Sequence, residues 1–413
     1  MSDLKKVFKI IEGYRDEIIS LQEDLTSKIA LGPENGGEGE HEKAEYLKQR
    51  LKELHPDRIE EVNAPDQRIR EGNRPNLIAL WEGKADSPTV WVLSHMDVVP
   101  PGDLSLWDSD PYRVKVEGDR IIGRGVEDNQ HGLVSSFLGL RGILEAGVSL
   151  NRNVGLVFVA DEETGSEFGL GYILKTRKAL FHPDDLIIVP DAGNEEGTMI
   201  EVAEKSLLHL KFTVLGRQCH ASTPHKGKNS MFGSARLIVE LEQIKEKYNL
   251  EDELFSPSIS TFEPTRIEEN VPNINTIPGR NVFYYDCRIL PHYKVSEIIS
   301  EMRAISDKVS EELTLKIEIE QDYRIDAPEP TPATSRVVQE LILALKTVKG
   351  LEGKPMGIGG GTVAALFRQE GRHAAVWSTA CDSAHQPNEY SLISNTISDA
   401  KVFASLYLGE FDA

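Results

Sequence analysis

Five places in the chain set an imidazole or a carboxylate directly after a short apolar run or at the head of a helical one. The run 91–94 leads into His95-Met96-Asp97, 155–160 into Asp161-Glu162-Glu163, 186–190 into Asp191, and 373–378 through a loop to His385. Asp128 follows Gly123-Arg124-Gly125 and opens a helical stretch. Imidazole nitrogens and carboxylate oxygens without thiolates are the donors that one or two zinc-like ions select at neutral pH. Taken singly these residues have ordinary uses: a histidine after a strand holds a loop, an aspartate at a helix start caps it, and a Glu-Glu pair faces solvent. Gathered at one sheet edge, however, the carboxylates would repel one another, and divalent cations remove that cost. His95 and Asp97, two apart, point to the same side of a strand, so Asp97 is expected to hold the imidazole from behind. Glu162 and Glu163 are adjacent and face apart, so that one can bind metal while the other reaches a water.

The elements that must position these groups alternate. Apolar spacing predicts helices over 3–30, 41–54, 129–145 and 167–180, and strands over 76–81, 89–94, 154–160, 186–190 and 373–378, with a hairpin at 112–122. Such alternation implies an α/β sheet with helices on both faces, and ligands of open α/β sheets bind beyond the carboxyl ends of the strands. From about Lys205 the pattern changes. Strands over 207–215, 258–266, 281–290 and 313–320, with helices over 230–247 and 295–311, describe a compact α+β unit, after which a helix over 333–348 resumes the α/β pattern. The simplest topology is a domain built from both ends of the chain with a second one inserted.

Composition narrows the function classes. At 413 residues the chain is too long for one core of ~100–150 residues. A formal net charge of −21 repels phosphate backbones and anionic lipid, so neither nucleic acid nor membrane is an expected partner. Cys219, Cys287 and Cys381 form no C-x-x-C pair and are expected to be buried, unreactive thiols. The first twenty residues contain scattered Lys and Glu and no apolar core of a secretion signal, which predicts a cytoplasmic protein.

The order His95-Met96-Asp97, Gly123-Arg124-Gly125-Val126-Glu127-Asp128-Asn129, Asp161-Glu162-Glu163-Thr164-Gly165, Asp191 and His385-Gln386-Pro387-Asn388-Glu389-Tyr390 resembles the co-catalytic zinc peptidases and deacylases. That family includes acetylornithine deacetylase, succinyl-diaminopimelate desuccinylase, aminoacylase, glutamate carboxypeptidases and several dipeptidases. The resemblance implies a catalytic α/β domain with a mixed sheet flanked by helices (1–204 and 323–413), interrupted by an α+β lid and dimerisation domain (205–322). It implies two divalent ions, zinc before cobalt or manganese. One would sit on His95, Asp128 and Asp191, the other on Asp128, Glu163 and His385, with Asp128 bridging. Glu162 matches the general base, Asp97 is counted with it among the catalytic residues as the group that holds the His95 imidazole, and the Asp128–Asn129 peptide bond is expected to be cis.

Within the inserted domain, His220 in Gly216-Arg217-Gln218-Cys219-His220-Ala221-Ser222-Thr223-Pro224 matches the residue that contacts the scissile carbonyl. Asn275 and Arg288 match positions that hold a substrate carboxylate, and the homodimer is expected to pair through this domain. Gly359-Gly360-Gly361-Thr362 precedes a helix and offers backbone N–H groups to an anion through Gly360, Gly361 and Thr362. Val363 stands where many members carry an acid. The implied reaction is hydrolysis of an N-acyl amino acid, with a metallo-dipeptidase or carboxypeptidase acting on small peptides as the alternative. A non-catalytic, ligand-binding relative is the remote one, since no ligand and no base is missing from the pattern.

Overall fold

The computed structural model describes residues 3–84 and 87–411; Met1, Ser2, Asp412 and Ala413, which the expected domain bounds include, lie outside them. The chain divides into two compact units, Met1–Val202 with Thr331–Pro355 and Leu366–Ala413, and Ala203–Pro330 with Met356–Ala365.

An eight-stranded mixed sheet runs, edge to edge, Arg58–Pro65, Asn73–Trp81, Asn153–Val159, Thr89–His95, Leu186–Asn194, Ala374–Thr379, Met199–Glu204 and Lys354–Ile358. Its central four strands are parallel neighbours. They are also the four that lead to ligand candidates, so parallel pairing brings all their carboxyl ends to one edge. Each is apolar on both faces; Thr89–His95 and Ala374–Thr379 are buried at every residue. That is the pattern of a sheet covered on both sides. The covering helices include Gln130–Glu145 and Ile393–Leu408, rich in buried Leu, Phe and Ala.

The second unit holds a four-stranded antiparallel sheet, ordered Thr261–Ile267, Arg280–Ile289, Ser206–Leu215 and Lys316–Ile325. Alternating burial along Ser206–Leu215 sends Leu208, Leu210, Phe212 and Val214 inward. They meet Leu237 of the Ser230–Leu241 helix and Ile298 and Met302 of the Val295–Leu313 helix, around Phe212 and Phe283 stacked at 4.9 Å.

Several expected elements differ. The helix over 3–30 is two, Asp3–Ile11 and Arg15–Ser27, broken at Gly13, and that over 230–247 is Ser230–Leu241 and Gln243–Lys247, meeting at Glu242. The helix over 167–180 shortens to Leu170–Thr176, because residues ahead of it are spent on a turn in which Ser166 takes a positive φ. Arg58–Pro65, Met199–Glu204 and Lys354–Ile358 were not anticipated as strands; the first is an edge strand with mostly charged outward positions, the last carries Pro and Gly. The second unit also extends past 205–322. It includes 356–365, because Ile358 accepts a hydrogen bond from Lys205 at 3.0 Å and Gly357 donates to Leu254 at 2.6 Å. Cys287 and Cys381 are buried, but Cys219 is partly exposed. Among the described residues no helix is long and apolar enough to cross a membrane.

Candidate metal centre

His95 is the last residue of its strand and Asp191 lies just beyond the apolar part of the neighbouring one. Asp128 arrives between them from the loop that opens the Gln130–Glu145 helix. That helix can approach so closely because position 132 is glycine: a Cβ there would stand 2.4 Å from the Pro190 carbonyl oxygen. His95 Nε2 lies 2.9 Å from Asp128 Oδ1 and 3.3 Å from Asp191 Oδ1. On the other side of the same carboxylate, His385 Nε2 lies 3.0 Å from Asp128 Oδ2 and 3.1 Å from Glu163 Oε2. Each oxygen of Asp128 therefore faces a different imidazole, one with Asp191 beside it and one with Glu163. The Asp128–Asn129 peptide bond is cis.

The donor set suits divalent cations. Donor atoms of His95, Glu162 and Asp191, and of His95, Asp128 and Glu163, lie within 4.8 Å of one another. Glu162, expected as a base, is thus near enough to His95 and Asp191 to be a ligand as well. Electrostatics shows the same excess of negative charge. Burial opposes a charge on His95, yet Asp191 and Asp128 hold its imidazolium well above the ordinary value. Hydrogen bonds donated to Asp128 and Glu163 raise His385 to about 10. Burial and the nearby Asp191 push the Glu162 carboxyl well up, and burial also raises Glu163. Without an ion, protons on the two imidazoles and on Glu162 partly offset the carboxylates, a role a cation fills better.

Asp97 lies behind the His95 imidazole and has a second task besides. His95 Nδ1 lies 3.0 Å from the Asp97 backbone oxygen and 3.6 Å from its carboxylate. The carboxylate itself accepts the Glu162 and Glu163 backbone N–H groups at 3.1 and 3.0 Å, so it fixes the turn that presents both glutamates. Burial would raise Asp97, but the His95 hydrogen bond and charge keep it below the usual range. Asn129 ties the other corner, donating to Asp191 Oδ1 at 2.8 Å and accepting the His95 N–H at 3.3 Å.

Two further carboxylates had no role assigned from sequence. Glu389, fully buried, accepts N–H groups of Gly125, Glu127 and Asp128 at 2.9–3.1 Å and pairs with Arg124. Glu127 accepts the N–H groups of Cys381 and Ser383 and the Ser383 hydroxyl. Both stood in the quoted motifs, next to or near a ligand. Only the fold, however, reveals which backbone each one holds.

A cavity of about 880 Å³ elsewhere in this unit, lined by Leu54, Trp81, Arg141 and Leu144 among others, contains none of these groups. Convergent polar chemistry, not volume, marks the site.

The remaining expected residues belong to the second unit. His220 ends a two-strand ladder and is exposed; its Nδ1 accepts from the Ser222 N–H at 3.1 Å, which puts the ring proton on Nε2. Asn275 lies opposite, its carbonyl accepting the Ala221 N–H at 2.9 Å. Arg288 pairs through Nε and Nη2 with both oxygens of Asp286 at 2.7 and 3.0 Å, and donates from Nη1 to the Gly359 carbonyl at 2.9 Å. Thr362 gives its N–H and hydroxyl to Glu204 at 3.3 and 2.9 Å. The following helix, Ala364–Gln369, has six residues, so the anion donors expected here reduce to the open Gly360 and Gly361.

Comparison with known proteins gives the family. A model of peptidase family M20/M25/M40 matches residues 91–408. An uncharacterized metallohydrolase of Methanococcus maripaludis is 40% identical over 421 aligned positions, covering 95% of this chain and 98% of its own. A succinyl-diaminopimelate desuccinylase of Pelagibacter ubique is 22% identical over 336 positions, covering 78% of this chain and 83% of its own. An aminopeptidase structure from Bacillus cereus shares the fold with a TM-score of 0.75 at 18% identity, covering 95% of this chain and 98% of that one. Because the family match runs from the His95 strand to the last helix, the chain belongs to peptidase family M20/M25/M40 and is a metal-dependent hydrolase of C–N bonds.

Proposed function

We propose that the chain hydrolyses the amide bond of an N-acyl amino acid at a centre of two divalent ions, zinc before cobalt or manganese. The observation that carries the two-ion reading is Asp128, whose two oxygens face His95 and His385 at 2.9 and 3.0 Å. Ions held on His95, Asp128 and Asp191 and on Asp128, Glu163 and His385 would polarise the carbonyl and lower the pKa of an attacking water from ~15.7 toward ~7. Glu162, whose donor atom lies within 4.8 Å of those of His95 and Asp191, takes the water's proton and returns it to the leaving nitrogen. Asp97 keeps Glu162 and Glu163 in place through their backbone N–H groups. His220, with its proton on Nε2, donates to the developing oxyanion.

Substrate choice rests on Arg288. A guanidinium has five N–H donors, and Asp286 and Gly359 occupy three of those of Arg288, which leaves two for a carboxylate; Asn275, Gly360 and Gly361 are assigned to the same carboxylate by the family resemblance alone. The same clamp would serve the terminal carboxylate of a small peptide, and the fold neighbour from Bacillus cereus is a peptidase, which keeps the dipeptidase or carboxypeptidase reading as the second one. Exposed Met231, Phe232 and Val239 on the Ser230–Leu241 helix support a homodimer paired through the second unit.

A panel of N-acetyl amino acids, N-succinyl-diaminopimelate and dipeptides tests the choice, with the N-acyl compounds expected to turn over fastest. Faster dipeptide cleavage selects the second reading, and equal cleavage of methyl esters refutes the clamp. Glu162→Gln should abolish turnover and leave bound metal nearly unchanged; losing one ion with activity would make Glu162 a ligand instead.

A further inference from the structure

The loops that deliver Asp128 and His385 are irregular and far apart in the chain. The first runs from Ile122 to the helix at Gln130, the second from Thr379 to the short strand at Tyr390. Neither has a helix or a ladder to fix its backbone, yet both must hold a ligand in place to within a few tenths of an ångström. His385 even adopts a φ of 63°, the left-handed region that a side chain enters only when its surroundings compel it. Each loop carries a carboxylate that caps the other. Glu389, four residues past His385, accepts the N–H groups of Gly125, Glu127 and Asp128. Glu127, one residue before Asp128, accepts the N–H groups of Cys381 and Ser383 and the Ser383 hydroxyl.

We propose that Glu127 and Glu389 are positioning residues that form a reciprocal clamp: each loop is folded by a carboxylate of the other, Glu127 fixing the start of the loop that places His385 and Glu389 fixing the loop that places Asp128. The inference rests on the two-ion reading above. It gives the two carboxylates unequal consequences. Glu127 holds only the loop of His385, so its loss should release the ion on His385 and Glu163. Glu389 holds the loop of Asp128, which serves both ions, so its loss should weaken both. Replacing either by glutamine leaves one oxygen and turns an NH₂ group against backbone N–H groups that need an acceptor.

Calorimetric titration of Zn²⁺ into chelator-stripped parent, Glu127→Gln, Glu389→Gln and the milder Ser383→Ala separates the possibilities, with far-ultraviolet circular dichroism on the same samples. The parent is expected to take two ions. Glu127→Gln should lose ~10–100-fold in affinity for one, the range seen when partners of metal ligands are removed, and less than ~3-fold for the other. Ser383→Ala should follow it with a smaller loss at the same ion, and it reports on the clamp even where Glu389→Gln, which strands the buried Arg124, fails to fold. Folded variants that bind both ions with parental affinity overturn the clamp, as does Glu127→Gln weakening both ions equally. A parent that takes one ion refutes the two-ion reading instead; the clamp then still requires Glu389→Gln or Ser383→Ala to weaken that ion, and fails if neither does.

Discussion

Asp399→Asn should cost the protein several kcal/mol without touching a ligand. Asp399 is fully buried on the Ile393–Leu408 helix, and its carboxylate gathers four groups. Oδ2 accepts from the Thr379 N–H at 2.8 Å and lies 2.9 Å from His131 Nε2; Oδ1 accepts from the Thr379 hydroxyl at 2.6 Å and lies 3.1 Å from Lys349 Nζ. These groups mark the end of the strand before the His385 loop and the first turn of the helix after Asp128. Burial opposes the ionised form, but Lys349 and the His131 hydrogen bond win and hold the carboxyl at about 2. With ~3.9 in the unfolded chain, that depression alone contributes roughly 2–3 kcal/mol at neutral pH. The asparagine forfeits it and leaves Lys349 buried without its counter-charge, for a total of about 3–5 kcal/mol, or roughly 3–6 °C in Tm for a chain of 413 residues. Because the folded pKa is depressed, the contribution is present above ~3.9 and is lost as pH falls through about 2; about half should remain at pH 3. Urea unfolding of parent and variant at pH 7, 5, 4 and 3 measures the gap. A gap below about 1 kcal/mol at pH 7, or one already closed at pH 5, refutes the reasoning.

Zinc binding should release protons, because His385, raised to about 10 without an ion, carries a proton that the ion must displace; affinity should therefore climb with pH up to about 10. Titration heats in buffers of different ionisation enthalpy check this, and buffer-independent heats at pH 7.5 count against it. Arg288→Lys should lower kcat/KM for free-acid substrates at least ~10-fold, chiefly through KM, since an ammonium cannot both fork onto Asp286 and present two further donors; an unchanged KM rejects the clamp. If His220 serves the neighbouring subunit, mixing inactive His220→Ala with inactive Glu162→Gln chains under subunit exchange should restore activity, and heterodimers that stay inactive exclude donation in trans.

Most ligand candidates were legible because each is a metal-binding type that follows one of four parallel strands, whose pairing fixes their meeting; Asp128 was marked instead by the glycines before it and the helix it opens. The supporting carboxylates were not. Strand alternation points Asp97 toward the His95 imidazole, and its carboxylate does lie 3.6 Å from Nδ1, but its hold on the Glu162–Glu163 backbone depends on a turn far off in sequence. Glu127 and Glu389 could not be read at all, since a capping partner more than 250 positions away leaves no local pattern. Among the elements, Thr89–His95 and Ser206–Leu215 were plain from apolar runs or alternation. Arg58–Pro65 was hidden by its outward charges, and the split at Gly13 by an apolar rhythm that continues across it.

In the second unit Leu207 is paired with Ile325, so a stretch of 118 positions begins and ends on adjacent strands. To the chain that carries the metal centre, an insert of this kind is almost invisible. Closing the Asp128–Glu389 contact spans 261 positions in sequence, but a folded insert shortens the flexible path to roughly half, a saving of only ~0.5 kcal/mol because closure entropy grows with the logarithm of length. The reverse also holds: enlarging, trimming or exchanging what lies between the two strands changes that entropy by tenths of a kcal/mol. The architecture is thus permissive by construction, a host whose reactive machinery is thermodynamically indifferent to its guest, so that whatever the insert contributes to recognition can be remodelled without renegotiating the centre that performs the chemistry.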